Sequence, residues 1–481
     1  MIENLYFRRL FSVNPFRTLS LPMGEMSFYK DWTHDKRGDP YPVLCREGVF
    51  REETGNGKWS VSAENGGRFD RFLCGFFPWH TYTVSLDELK NASFVLRVLS
   101  PRGQIAVRVR EDGKAALSDQ TGEKAEGQLE KGKNGEGFAF SVSFRTNGVS
   151  IFDETKNGRA SLILDTDLPL LTDLRDEAVF RKTVTSVGIE AEEGGTATVT
   201  DVKTAIISGM SHADPKPVRY EDGTVMIENG RVFLTMSARE GQYSFETVVS
   251  WLPGTADFRM EGALFFSYGD GMWCADVASS ILFDRRTKKW LLWVCSFSHG
   301  HRLARAKFDA DPRFGVNVID AVPMAYGNGD RLAFEAIQGD EDPDLIDYEG
   351  KWHLAVCRLM EDGGYHYLHF VSDDPLNGFA YADRTPGKEK TGGLFVKTGA
   401  GVDFVCGSDF GKRAVYDTYP IADFTDRRPL SCDYDDGGFR GWGTVMAIPK
   451  GTRTAYYWLT FDRHNCSDYN WSYGNLYVYE A

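Results

Sequence analysis

Helical periodicity is nearly absent from the second half of this 481-residue chain, and no stretch approaches the roughly 20 apolar residues a membrane helix needs. The longest apolar run, Trp290 to Phe297, reads as a buried strand, so no membrane partner is expected. A basic stripe is also missing: 69 acidic residues against 55 Lys plus Arg leave a net charge of -14, which argues against nucleic acid as a partner. Cysteines number only eight, and no pair has the Cys-x-x-Cys spacing of a metal site, so neither a metal nor a cofactor is expected. Most of those thiols should be free and buried; Cys295 and Cys357 fall seven residues after Lys288 and Gly350, the same point in two similar segments. Met1 to Pro22 has no continuous apolar core and does not read as a signal peptide. Met23 and Met26 stand as alternative starts, and a cytoplasmic location is the expectation.

What is present is β-forming. Aromatic residues reach 14% and glycines number 50, a usage suited to strands, tight turns and carbohydrate platforms. From Gly230 onward a turn, a basic residue and an apolar run recur at Gly230-Arg-Val-Phe-Leu, Lys288-Lys-Trp-Leu-Leu, Gly350-Lys-Trp-His-Leu, Gly411-Lys-Arg-Ala-Val and Gly451-Thr-Arg-Thr-Ala, a period of about 60. Each unit reads as a β-meander, and five around an axis make a five-bladed β-propeller, which leaves only short, protected strand edges. Eight residues before Gly230, Gly350 and Gly411 stand Asp222, Asp342 and Asp403. The first strand of each propeller blade lines the channel, so these carboxylates are expected to converge at its mouth. The other blade heads are Trp273-Cys-Ala-Asp-Val-Ala, containing Asp276, and Gly441-Trp-Gly-Thr-Val, containing Trp442.

At these heads the chain resembles the five-bladed propeller glycosidases of glycoside hydrolase family 43 and its relatives in families 32, 62 and 130, over about residues 212 to 481. Glu341-Asp-Pro-Asp-Leu-Ile followed by Tyr348-Glu-Gly-Lys-Trp is similar to the family's Asp-Pro strand and Gly-Lys-aromatic turn, and Trp273-Cys-Ala-Asp-Val to its Trp-Ala-Pro blade. The resemblance implies Asp222 as base, Asp342 as pKa modulator and Asp403 as general acid. The acid is usually Glu; with the shorter Asp403, Glu335, Glu341 or a relay through a substrate hydroxyl is an alternative source of the proton. His212-Ala-Asp-Pro resembles the first-blade motif too, which makes Asp214 the alternate to Asp222, with Glu221 a third choice. The implied substrate is an oligosaccharide or polysaccharide, with a furanoside (an arabinofuranoside or fructofuranoside) preferred; a noncatalytic carbohydrate-binding propeller and a phosphorylase are the other readings.

The chemistry needs these residue types whatever the family. One carboxylic acid must protonate the leaving oxygen while a second, ionised, activates water or attacks the sugar, and neighbouring carboxylates push their pKa values apart. An aspartate before a tight turn also has an ordinary use, accepting backbone hydrogen bonds. Trp273, Trp442 and Phe404 are candidates to stack on sugar faces, Asp276 to bind hydroxyls, and Arg463 to pair with a carboxylate or a hydroxyl. His299-Gly-His301 offers two imidazoles and Asp433-Tyr-Asp-Asp a dense acidic turn, neither with a recognised ligand pattern.

The expected organisation is an N-terminal extension over 1–43, an antiparallel jelly-roll-like β-sandwich over 44–208 and the propeller over 209–481, an all-β protein. Strand-like runs at Val49 to Arg51, Phe72 to Phe77, Phe94 to Val98, Gly137 to Phe144 and Ala197 to Val202 support the sandwich, with an exposed loop from Asp119 to Glu136 and a boundary at Ser208 to Pro217.

Overall fold

A computed structural model describes every residue except 1, 15–16, 27, 29–41, 133–136, 146–147, 156–159, 169–174, 209–210, 241–242, 325–338, 389, 409–414, 434–438 and 463–474. The described residues are nearly all strand, with one short α-helix at Glu177–Phe180. The chain divides into two units, Met1–Leu21 with Ser208–Ala481, and Pro22–Ile207. The first residues therefore do not form a separate extension with those up to 43, as the sequence suggested; they join the C-terminal unit.

In that unit five sheets follow one another, each with four antiparallel strands at its centre. Their innermost strands are Ser211–Pro217, Val277–Asp284, Asp340–Tyr348, Thr391–Thr398 and Phe439–Lys450. Each lies against the next in chain order, and the fifth lies against the first, so the five close into a ring. The fifth sheet is completed from the other end of the chain: Tyr6–Val13 pairs antiparallel with Leu476–Glu480.

The apolar residues explain this stacking. Strands such as Lys289–Ser296 are buried on both faces, as the run Trp-Leu-Leu-Trp-Val-Cys requires. Separate cores fill the gaps between consecutive sheets. Phe233, Leu264, Ile281 and Leu292 join the first to the second, while Trp293, Leu345, Leu354 and Leu368 join the second to the third. Phe395, Phe404, Tyr367 and Tyr419 bridge third and fourth, and Val405, Tyr416, Val445 and Trp458 bridge fourth and fifth. Trp251 meets Tyr457 edge-on at 5.3 Å between first and fifth. Each buried aromatic contributes about 1.5 to 3 kcal/mol, so no single sheet is self-sufficient.

Inside the ring sits a buried ion pair. Arg219 donates to Asp344 at 2.5 Å and to the carbonyl of Phe395 at 2.6 Å, and Asp344 also accepts from Ser280 and from the amide of Phe395. The second, third and fourth sheets are tied by these two side chains, both at most 2% exposed.

The unit Pro22–Ile207 is built on two long strands, His80–Ser100 and Val184–Ile207, paired along most of their length. Pairing between them breaks at Ala191/Thr196, and on either side of that break their outer partners change. One half adds Gly103–Arg110 and Gly67–Gly75, the other Phe138–Phe144 and Lys58–Ala63. The strand-like runs read from the sequence here all fall in or beside strands. The loop expected from Asp119 to Glu136 instead contains a strand, Gly122–Gln128, hairpinned onto Lys114–Asp119.

Candidate active site

Each of the first four inner strands carries the same irregularity near its start. Register slips between Ala213 and Lys216, Val277 and Ser280, Glu341 and Asp344, and Thr391 and Leu394. The residue after the first of each pair is left-handed: Asp214 (φ 52°), Ala278 (62°), Asp342 (45°) and Gly392 (59°). Such bulges re-aim side chains and gather at functional sites. Asp214 and Asp342 are thus equivalent residues in the first and third sheets, both at the N-terminal end of the ring.

Their electrostatics are linked. Asp214 keeps 17% of its side chain exposed, and burial followed by the charge of Asp342 pushes its carboxyl up to about 6, against the pull of Arg239 4.0 Å away. Asp342 accepts the amide N–H of Gly392 at 3.2 Å. Lys216, two residues beyond Asp214, donates to the carbonyl of Pro343 at 2.9 Å and locks first strand to third. Glu341 keeps 23% of its side chain exposed, 2.9 Å from Nε2 of His301. Behind Asp214 lies Glu246, fully buried, accepting from the hydroxyl of Ser279 at 3.0 Å; burial pushes its carboxyl up to about 8. His212 is buried and lowered to about 3, which keeps its imidazole neutral. The neighbourhood therefore holds protonated and ionised carboxyl groups side by side near neutral pH.

Two of the three carboxylates chosen by register are elsewhere. Asp222 lies in a turn beyond the first strand, where Lys397 Nζ at 2.5 Å, Arg285 at 3.1 Å and the amide of Thr224 hold it. Lys397 and Arg285 stand at or past the C-terminal ends of their inner strands, so Asp222 is at the opposite end from Asp342, about 15 Å away along the strands. Its neighbour Glu221 is taken by Arg285 at 2.8 Å. Asp403 is in the second strand of the fourth sheet, Gly401–Ser408, and accepts the amide of Ile2 at 3.3 Å. Phe404 is fully buried against Tyr367, Phe395 and Phe424 and cannot stack on a sugar.

The remaining candidates divide. Asp276 is buried at the head of the second sheet, accepting from Tyr268 OH at 2.7 Å and from the amide and hydroxyl of Ser298 at 3.0 and 2.6 Å. Trp273 is half-buried beside Phe265, three residues before it. Trp442 belongs to the fifth inner strand, and its side chain is outside the described set. Arg463 and Glu335 lie outside the described residues. Asp433 serves the fifth sheet, accepting from Tyr6 OH at 2.9 Å and from the amide of Arg9 at 3.2 Å. Cys295 and Cys357 do occupy equivalent places, each donating to the backbone carbonyl of the next sheet's first residues, Asp340 and Lys390, at 3.2 and 3.1 Å. Seven cysteines are described and all are free. Among the described residues no helix is long and apolar enough to cross a membrane, and no group of three or more His, Cys, Asp and Glu forms a metal cluster.

Sequence reasoning missed Glu246, Lys216 and Arg239, while His301 was flagged only as part of the His299-Gly-His301 pair; buried Glu246, in the run Phe245-Glu-Thr-Val-Val, looks like the polar face of a strand.

No protein-family model matches the chain, and no curated protein does. Solved structures do match, among them a family 117 glycoside hydrolase of the marine bacterium Zobellia galactanivorans, at 14% identity, covering 56% of this chain and 84% of that one with a TM-score of 0.39. Another is the catalytic domain of a family 62 alpha-L-arabinofuranosidase of Coprinopsis cinerea, at 12% identity, 57% and 91% coverage and a TM-score of 0.37. A family 43 beta-1,3-galactosidase with galactodeoxynojirimycin matches at 14% identity, 55% and 93% coverage and a TM-score of 0.37. Likenesses this distant leave function to be read from the side chains.

Proposed function

We propose that the C-terminal unit is a five-bladed β-propeller glycosidase that hydrolyses a glycosidic bond at the N-terminal end of its ring, the unit Pro22–Ile207 being a β-sandwich. The observation that carries this reading is the pair Asp214 and Asp342, set at equivalent left-handed bulges of facing strands, where burial and then the charge of Asp342 raise the Asp214 carboxyl to about 6. A base whose pKa lies near neutrality takes a proton from water more effectively than an ordinary aspartate. In this reading Asp214 removes that proton as the water oxygen bonds to the anomeric carbon. Asp342, held by the Gly392 amide, adds its charge to the burial that lifts Asp214. Glu341, one residue before it and in reach of solvent, gives its proton to the departing oxygen as the old C–O bond breaks. Direct attack by water inverts the anomeric centre. An oligosaccharide or polysaccharide furanoside is the first substrate class to try, from the sequence resemblance alone.

The test is hydrolysis of nitrophenyl furanosides and pyranosides, with and without phosphate, by the wild type and by Asp214→Asn, Asp342→Asn and Glu341→Gln. The first two should lose at least 100-fold in kcat. Glu341→Gln should lose far more on an alkyl glycoside than on a dinitrophenyl glycoside, whose leaving group needs no proton. Full activity in Asp214→Asn overturns the assignment. Turnover only with phosphate identifies a phosphorylase, and sugar binding without turnover a carbohydrate-binding propeller.

A further inference from the structure

The segment Phe297 to His301 joins the second and third strands of the second sheet at the same end of the ring as Asp214, because Cys295 pairs with Val277 beside the bulge. It is pinned on three sides. Ser298 bonds Asp276 through its amide and hydroxyl. His299 packs on the ring of Tyr268 at 4.3 Å, with Nε2 3.0 Å from Asp270 and Nδ1 3.0 Å from the Ser298 hydroxyl. His301 is 2.9 Å from Glu341, and its carbonyl accepts the amide of Asp340 at 3.2 Å. Gly300 and His301 are both left-handed, at φ 76° and 56°, which turns the chain back within five residues.

One ring in this braced segment is left open. Phe297 lies at 40° on His301, centroids 4.8 Å apart, and remains 47% exposed. An exposed phenylalanine gains little for folding, yet its backbone is fixed by its neighbours and its ring is backed by an imidazole. The chain of contacts Phe297, His301, Glu341 leads to the carboxyl that protonates the departing oxygen.

We propose that Phe297 is an aromatic platform for the sugar on the leaving side of the scissile bond, with Asp270, held in place by His299, beside it to accept from that sugar's hydroxyls. The assignment rests on the glycosidase reading above, since Glu341 defines which side is leaving. The Phe297 ring offers a flat apolar face matched to a sugar's C–H face, and the partly exposed Asp270 carboxylate offers acceptors. Asp276 holds the segment and does not itself face the substrate.

The experiment compares two substrates carrying the same glycosyl group, a disaccharide and the glycosyl fluoride, whose leaving atom is too small to reach the platform. Phe297→Ala should raise KM for the disaccharide about 10-fold, the effect of one aromatic contact, and change the fluoride less than 2-fold. Phe297→Trp should restore the disaccharide KM. Equal loss on both substrates would mean Phe297 only supports the fold, and no loss on either would mean no sugar rests on it; both overturn the proposal. These outcomes leave the glycosidase reading intact so long as Asp214→Asn and Asp342→Asn are inactive. A wild type that cleaves neither compound overturns both.

Discussion

Replacing Glu246 with glutamine should change the pH dependence of the ring's stability. The side chain is fully buried, one oxygen accepts from Ser279, and burial, with the charge of Asp214 acting in the same direction, lifts its carboxyl from 4.5 to about 8. Between those values the folded chain holds a proton that the unfolded chain has released. Stability supplied by the neutral form is therefore complete below pH 4.5 and is lost as pH rises through 8. At about 1.36 kcal/mol per unit the span amounts to roughly 5 kcal/mol as an upper bound. Glutamine keeps the hydrogen-bonding shape of the protonated acid and has no proton to lose. Urea unfolding followed by tryptophan fluorescence at pH 5 and pH 8.5 should show Glu246→Gln close to wild type at the lower pH and several kcal/mol more stable at the higher. Parallel pH profiles in the two proteins would refute the reasoning, because they would mean that Glu246 is ionised when folded.

Other outcomes follow from the same geometry. Asp342→Asn should move the acid limb of whatever residual kcat/KM remains below pH 6, but not to 3.8, because burial rather than Asp342 is the larger cause of the raised Asp214. Asp222→Asn should leave kcat/KM within about twofold of wild type, since it sits at the far end of the ring. Although burial opposes it, the Lys397 ammonium and the Thr224 amide hold Asp222 well below the usual carboxylate range. Its stabilisation is present above pH 3.8 and fades as pH falls further, so the variant should lose its deficit in thermal melts run in acid. Phe7→Ala removes a fully buried ring packed edge-on to Trp458 at 6.0 Å, and urea unfolding should show a loss of about 3 to 5 kcal/mol. Asp403→Asn, which weakens one bond to the Ile2 amide, should cost about 1 kcal/mol by the same measurement and leave catalysis untouched.

The sheets were legible because their residues say one thing at every level: β-branched and aromatic runs, glycine turns, and no competing helical period. The two acids at the bulges share a motif, not a spacing. Asp342-Pro343 and Asp214-Pro215 share a local pattern of an acid at a bulge, and that pattern survives because the backbone there must be left-handed. Distance to the next turn does not survive. From the bulge it is eight residues to Gly350 but sixteen from Asp214 to Gly230, since the first sheet inserts Arg219–Tyr220, which leaves to pair with the second sheet, before the hairpin closes. Counting back from Gly230 therefore landed on Asp222, at the opposite end of the ring from Asp342. The fourth unit misled differently. Its hairpin turn is at Gly401, and Gly411 follows the second strand, so the same count reached Asp403 instead of Gly392. Glu246 was hidden because an acid alternating with apolar residues reads as solvent-facing until the neighbouring sheet is known to cover it.

The last sheet needs a strand made at the start of the chain, and this sets an order of events during synthesis. Tyr6–Val13 must wait for Ser431–Cys432 on one side and Leu476–Glu480 on the other before it has its partners, while every pairing within Pro22–Ile207 is available long before. Until then the hydrophobic underside of the first strand, with Phe7 on it, is a loose end on a nascent chain. Synthesis of Leu476–Glu480, rather than of any earlier sheet, becomes the step that lets the ring close.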